Sequence, residues 1–291
     1  MMKKAGVWAL IVMILGSMFG AGSAAAEESE RHATWLWNPW MFVEDEAATV
    51  AFLEEKQVTD VYVQVDQDVP MADYRSFIRA AGERGMDVHA LDGAPDWMTP
   101  EGIGQLSRML GWVTEYEWTA GEGEGFAGVH LDVEPYIHPL WNENRQEAVT
   151  LFQEMVAKAL PVVHALDLEL ELDLPFWFDE ITYDNDFGTG SLAGWAIREA
   201  DGVTLMAYRD TAAAIQHIVK EEMAYGEQYD TPVTVGVETM YSYEGDHVSF
   251  YQQGEAYMMR ELNHVRSHYE NSPAFAGFSI HHVASWQDMR P

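Results

Sequence analysis

The chain has 291 residues with 48 acidic against 16 basic side chains, a formal charge of −32. That balance excludes nucleic acid and anionic lipid as partners and disfavours polyanionic sugars, since each would be repelled, and leaves neutral or cationic amino-sugar polymers as compatible ligands. There is no cysteine, so neither a disulfide nor lipid attachment through a thiol is available and an exported chain would rely on its own core.

Residues 1–26 read as a secretory signal peptide. Lys3 and Lys4 give a positive start, residues 7–19 an apolar stretch, and the Ala-Gly-Ser-Ala-Ala-Ala of 21–26 a small-residue cleavage site before Glu27. The expected mature chain is residues 27–291: secreted, monomeric and free of the membrane after cleavage. Its charge becomes −34 once Lys3 and Lys4 leave, and its length suits one domain of α/β barrel size.

Eight strand-like segments follow in order at 33–37, 60–66, 86–92, 126–136, 168–174, 202–208, 232–238 and 276–282. Amphipathic helical patterns separate them at 45–56, 73–83, 101–117, 142–160, 191–199, 211–225 and 251–269. Strand–helix alternation of this kind predicts a parallel sheet, and eight strands in a chain of this size predict a single-domain α/β fold, the (β/α)8 TIM barrel. Only residues 283–291 remain after the last strand, so the final helix is expected to be short or absent. No Gly-rich phosphate loop follows any strand, which disfavours an open doubly wound sheet.

In such a barrel the reacting groups sit at the C-terminal strand ends. Those ends carry Asp66, Asp92, Asp132, Glu134, Asp173, Tyr208, Arg209, Glu238 and His281, with Trp286 just beyond. The fourth segment is the most informative. Val129, Leu131 and Val133 face one side, and His130, Asp132 and Glu134 the other, before Pro135 ends the ladder. Crowded carboxylates cannot all ionise, and one kept protonated near neutrality can serve as a general acid. Asp132 and Glu134 are therefore the expected catalytic pair, and Asp92 and Glu169 are expected to be structural. Of 11 tryptophans, Trp35, Trp37, Trp40, Trp97, Trp141, Trp177 and Trp286 fall at or just after strand ends, as an aromatic rim for sugar rings would.

The run Ala127-Gly-Val-His-Leu-Asp-Val-Glu134 resembles the strand-four signature DGxDxDxE of glycoside hydrolase family 18, the chitinase-type enzymes. The glycine, Asp132 and Glu134 match, while Ala127 and His130 stand where that signature has aspartates. Met206-Ala-Tyr208 with Asp210 is similar to the strand-six MxYD of that family, with Arg209 as an extra residue, and Trp286 stands where the family has a tryptophan beneath the sugar. The resemblance implies a glycosidase with Glu134 as general acid. Asp132 would orient a substrate N-acetyl group that acts as nucleophile, and Tyr208 would steady the intermediate. His130 could tune Asp132 in place of the missing Asp only if placed to donate a hydrogen bond.

A second scheme pairs Glu134 with Glu238, acid/base after strand four and nucleophile after strand seven, as in the large retaining clan on this barrel. Sugar-contacting candidates are Trp37, Asp66, His130, Asp173, Trp177, Arg209, His281 and Trp286. No cofactor and no metal is expected. A metal-dependent hydrolase using His89, His130, His281 or His282 and a non-catalytic sugar-binding barrel are the alternatives; the sequence holds no His-Glu-x-x-His and no Gly-x-Ser-x-Gly.

Overall fold

A computed structural model describes residues 30–291; the expected signal peptide at 1–26 lies outside the described residues. Eight parallel strands close into a barrel: β1 (Arg31–Leu36), β2 (Asp60–Gln64), β3 (Asp87–Asp92), β4 (Gly128–Leu131), β5 (Glu169–Pro175), β6 (Gly202–Met206), β7 (Val233–Glu238) and β8 (Phe275–His281). Each pairs with its neighbour in sequence and β1 pairs with β8, so the order is that of a (β/α)8 barrel.

The period-2 alternation decides what faces inward. Val61, Val63, Val88, Ala90, Val129, Leu131, Leu170, Leu172, Phe278 and Ile280 pack outward into one large core with the helices. The inner face is mostly polar: Arg31, Asp60, His89, His130, Glu171, Asp173, Thr204, Thr234 and Ser279 share it with a small apolar cluster of Ala33, Trp35, Tyr62 and Leu91. Branched apolar side chains fill most barrels of this type; here ion pairs fill much of the space. Glycine makes room for the large groups: a Cβ at Gly236 of β7 would stand 3.1 Å from Trp35 Cη2 and 2.8 Å from the Leu205 carbonyl.

The outer layer is α1 (Trp40–Glu55), α2 (Met71–Gly82), α3 (Ile103–Thr119), α4 (Arg145–His164), α5 (Leu192–Glu199), α6 (Ala212–Ile218), α7 (Lys220–Tyr229), α8 (Glu255–Tyr269) and α9 (Val283–Gln287). The predicted helix start at Asp45 is a break inside α1: Asp45 leaves helical geometry at φ −152°, ψ 82°, and its Oδ1 accepts the Ala48 amide at 2.9 Å, the behaviour of an N-cap. The helix predicted over 211–225 is two, α6 and α7, meeting at Val219.

One expectation needed correction, and one element was not foreseen. β4 ends at Leu131 rather than running on to residue 136, with one further backbone bond from the Asp132 amide, and Glu134 leads into a turn at Pro135–Ile137. A hairpin of Thr182–Asn185 and Gly188–Ser191 follows β5; its strands are short and largely exposed, so they carry little apolar periodicity. The last helix, α9, is five residues long, as the short tail predicted. Among the described residues no helix is long and apolar enough to cross a membrane.

Candidate active site

The end of β4 is pinned before its acids begin. The Asp132 amide donates to the Asp92 carbonyl at 3.2 Å, and the β3 loop presses so close that a Cβ at Gly93 would lie 1.9 Å from the Asp132 carbonyl oxygen. Any side chain there would displace the backbone that carries Asp132.

Asp132 is held with one carboxyl oxygen, Oδ1, buried and without a hydrogen-bond partner. Burial, then the nearby charges of Asp173 and Glu134, push its pKa well above the usual carboxylate range, with His130 opposing. Glu134 lies beside it and its pKa is raised too, first by burial and further by Asp173. Tyr136, two residues on, donates its hydroxyl to Glu134 Oε1 and counters that rise. Sequence reasoning assigned no role to Tyr136. Its position beyond a proline, one turn from the acid, was the available signal.

Asp173 of β5 completes the group. Its Oδ2 accepts the Trp35 indole N–H at 2.9 Å and its Oδ1 lies 3.0 Å from His130 Nε2. His130 is fully buried, stacked on the Tyr62 ring at 3.8 Å between centroids, and its Nδ1 lies 3.3 Å from Glu171 Oε2. Burial alone would depress the imidazole pKa, but Asp173 and Glu171 outweigh it and raise it to about 9. Glu171 is in turn paired with Arg31 at 2.7 Å. Burial would raise its pKa, yet Arg31 and the neighbouring imidazoles hold it below the usual range. His130 faces these two acids and makes no hydrogen bond to Asp132. Arg31, Trp35 and Glu171 were not singled out as partners, because only barrel closure brings β1 and β5 to a common interior.

Tyr208 lies close enough to feel Glu238, Asp173, Asp132 and Glu134; burial and those charges push its phenol well above the usual range, so it remains a donor. The Arg209 guanidinium covers the Phe176 ring at 4.7 Å and donates to the Tyr208 carbonyl at 2.7 Å. Asp210 accepts from Gln253 at 2.6 Å.

Glu238 has the same address on β7 and different company. Its Oε1 accepts the backbone amides of Thr239 and Met240 at 2.8 and 2.7 Å, and its Oε2 lies 3.0 Å from His281 Nδ1. Trp37 Nε1 donates to His281 Nε2 at 3.1 Å, which leaves the Nδ1 proton for Glu238. Trp37, His281 and Glu238 therefore form one hydrogen-bonded chain along the β1–β8–β7 wall.

The aromatic rim is smaller than the sequence suggests. Trp35, Trp97, Trp141 and Trp286 are buried, Trp37 and Trp177 half-buried, and Trp40 is exposed. Trp286 is the clearest correction: α9 turns its indole against Phe52 and His32 on the barrel's outer side, with Nε1 donating to Glu255 Oε1 at 2.9 Å, so it does not floor a sugar site. Trp177 packs edge-on against Tyr136 at 5.0 Å, near Glu134. Asp66 holds Trp40 through the indole N–H at 3.0 Å, on the neighbouring part of the rim. Asp92, expected to be structural, has a carboxyl that burial and Asp66 push to about 6, though its Gly93 amide contact opposes the rise. Among the described residues no three His, Asp or Glu side chains are grouped as a set that could hold a metal ion.

A closed (β/α)8 barrel with a buried carboxylate group at its C-terminal mouth is thus the class of protein the fold and site define. Solved structures of similar fold include a family 18 chitinase from Pseudoalteromonas aurantia, 10% identical with a TM-score of 0.53 over 88% of this chain and 95% of that one. An exo-β-1,4-mannosidase from Opitutaceae bacterium strain TAV5 is 12% identical with a TM-score of 0.57, over 86% of this chain and 51% of that one. A class V chitinase from Nicotiana tobaccum, solved in complex with NAG4, is 12% identical with a TM-score of 0.50 over 88% and 94%. No protein-family model matches the chain, and no curated protein matches it. At these identities the likeness establishes the fold.

Proposed function

We propose that the protein is a secreted, monomeric glycoside hydrolase that cleaves an N-acetylated amino-sugar polymer with help from the substrate's own acetamido group. The observation that carries this reading is the contrast between two carboxyl groups. Glu238 is saturated by two backbone amides and His281, whereas Asp132 sits beside Glu134 with a buried, unpartnered oxygen. The partner of Glu134 is then Asp132 on its own strand.

The chemistry follows from the charges. Two carboxyls this close in a buried site cannot both ionise readily, so one proton stays on the pair. Glu134 delivers it to the leaving glycosidic oxygen as the C1–O bond breaks. The acetamido carbonyl oxygen attacks C1 from the opposite face, and Asp132 accepts the acetamido N–H on its unpartnered oxygen, favouring the positive charge that develops there. Tyr208, kept protonated, supports the same group by donating to its oxygen. Glu134, now a carboxylate, takes a proton from the water that opens the intermediate, so the anomeric configuration is retained. Half-buried Trp177 and exposed Trp40 supply sugar-facing surfaces.

The test is hydrolysis of N-acetylglucosamine oligomers beside glucosamine, glucan and mannan oligomers of equal length, with the first product's anomer read by NMR. Cleavage restricted to acetylated substrate, with retention, is expected, and Glu134→Gln should lower kcat by about 10³-fold without loss of fold. Equal cleavage of sugars lacking the acetamido group would transfer the partner role to Glu238. Tight binding with no turnover would mark a non-catalytic sugar-binding barrel, and turnover abolished by a chelator and restored by zinc a metal-dependent one.

A further inference from the structure

The inner face of the barrel carries an ion chain that the reaction scheme above does not use. It runs from Arg31 at the N-terminal end of β1 to Glu171 on β5 (2.7 Å), to His130 on β4 (3.3 Å), to Asp173 on β5 (3.0 Å), and ends on the Trp35 indole of β1 (2.9 Å). Four of these five side chains are essentially inaccessible, and Arg31 is largely covered. A bare imidazole stack would not require such company: an unpaired charge at this depth is strongly unfavourable, and the chain alternates cation, anion, cation, anion.

We propose that His130 is a positioning residue: clamped as a cation between Glu171 and Asp173, it fixes the Asp173 carboxyl beside the level of Asp132, making Asp173 a third carboxyl of the reacting group. This rests on the reading of Asp132 and Glu134 as the reacting pair. The geometry separates the role from simple packing. Tyr62 stacks on one face of the imidazole and Trp35 meets it edge-on, so the ring plane is set; Nδ1 is in hydrogen-bond contact with Glu171 Oε2, and Nε2 lies 3.0 Å from Asp173 Oδ1 as an ion-pair contact outside hydrogen-bond geometry. The residue in register with His130 on β5 is Glu171, and Asp173 lies one pleat nearer the mouth, beside the level of Asp132. One imidazole thus bridges two successive inward positions of the neighbouring strand. A shorter acid at position 130 could not span them, and would add a fourth negative charge to an already crowded site.

The charged and titratable groups around His130 are Glu171 and Asp173 from β5, Asp132 from its own strand, Tyr62 from β2, with Arg31 from β1 and Asp60 and His89 from β2 and β3 one contact further. Remove the Asp173 charge and His130 keeps only Glu171, which Arg31 already neutralises. Protonation of His130 should therefore depend on Asp173. The raised values of Asp132 and Glu134 should depend on it as well, since Asp173 is among the charges that raise both.

The experiment is an imidazole titration by NMR on the whole protein labelled in histidine, with the His130 signals identified by their Overhauser contacts to the Tyr62 ring. No substrate is present, so this arm is independent of whether the protein is a glycosidase. His130 is expected to be an imidazolium at pH 7 and to lose its proton near pH 9. In Asp173→Asn its midpoint is expected to fall by at least tenfold in proton affinity. A His130 that is neutral at pH 7 in the unaltered protein overturns the proposal, and that result needs no variant to fold. A midpoint unmoved by Asp173→Asn overturns it as well.

The kinetic arm uses the acetylated oligomer. Asp173→Asn is expected to lower kcat at least tenfold with KM changed less than threefold, and to shift the alkaline limb of kcat toward lower pH, because a charge that raised Glu134 is gone. A change confined to KM with an unmoved pH profile would make Asp173 a sugar contact and overturn the positioning role. If no oligomer in the panel is cleaved while the titration behaves as expected, it is the glycosidase reading that fails and the His130 clamp that stands.

Discussion

The ends of β4 and β7 invite direct comparison. Each delivers a glutamate from the inner face of the barrel to the same mouth, and both carboxyls are largely out of solvent. Glu238 receives two amide N–H groups from the turn that follows it and a third contact from His281. Glu134 receives one, from Tyr136, because Pro135 directly after it has no N–H to give. Three donors fix the Glu238 carboxyl in place, whereas Glu134, with one donor in a buried site, has its proton affinity raised. The strand-end address is common to both, and the following turn decides which glutamate holds structure and which is free to exchange a proton.

The strongest way to break that comparison is to neutralise the two candidate partners separately. Asp132→Asn should reduce kcat on acetylated oligomers by about 10²–10³-fold with little change in melting temperature, since its unpartnered oxygen supports no other group. Glu238→Gln should do the reverse. Gln can keep its oxygen on the two amides and set its NH2 against the His281 Nδ1 proton, or turn its oxygen to His281 and set its NH2 against both amides; either orientation opposes donor to donor. Stability should fall by about 1–3 kcal/mol, with activity down only a few-fold as His281 and Trp37 shift. Steady-state kinetics with thermal unfolding on both variants decides the matter. A catalytic collapse in Glu238→Gln at unchanged stability would restore the cross-barrel pair.

The barrel was legible because its signals are periodic and local. Val129, Leu131, Leu170 and Leu172 alternate with polar residues, and that alternation alone locates strands and their faces. The placement of Asp132 and Glu134 together after β4 was legible for the same reason. What the sequence left out depends on contacts between strands distant in the chain. Nothing near Arg31 indicates that it will meet Glu171, 140 residues away, or that Trp35 will face Asp173. The tryptophans failed in the other direction: occurrence near a strand end does not reveal whether an indole points to the mouth or into the helical layer. Trp97, Trp141 and Trp286 point into packing, because a large side chain next to a strand end is as well placed to cover the outer core as to line the mouth. His130 was visible as a departure, but its partners were not, as both lie on β5.

A smaller effect sharpens the β4 side. Tyr136→Phe removes the one hydroxyl that favours ionised Glu134 and keeps the ring against Trp177. The carboxyl should then hold its proton to higher pH. The alkaline limb of the kcat profile should move up, with kcat on its acidic side changed less than about fivefold. The sign is the opposite of that expected for Asp173→Asn, which removes a charge that raises Glu134, so the two profiles check each other. A limb that moves down in Tyr136→Phe would mean that Glu134 ionises without the hydroxyl's help.

The smallest effect concerns the tryptophan that sequence position placed under the sugar. Trp286 touches Phe52, His32 and Glu255 and none of the acids at the mouth. Trp286→Phe removes its indole N–H and part of the ring. Glu255 keeps its partner Lys56 at 2.8 Å, so no charge is left unpaired. The cost should be about 1–2 kcal/mol, or a melting temperature lower by roughly 2–8 °C in a domain of this size. KM and kcat for acetylated oligomers should not change, because α9 closes the outer wall between β1 and β8 and an indole there acts on the barrel's closure alone. A raised KM with an unaltered melting temperature would instead return Trp286 to the sugar site and require α9 to turn inward.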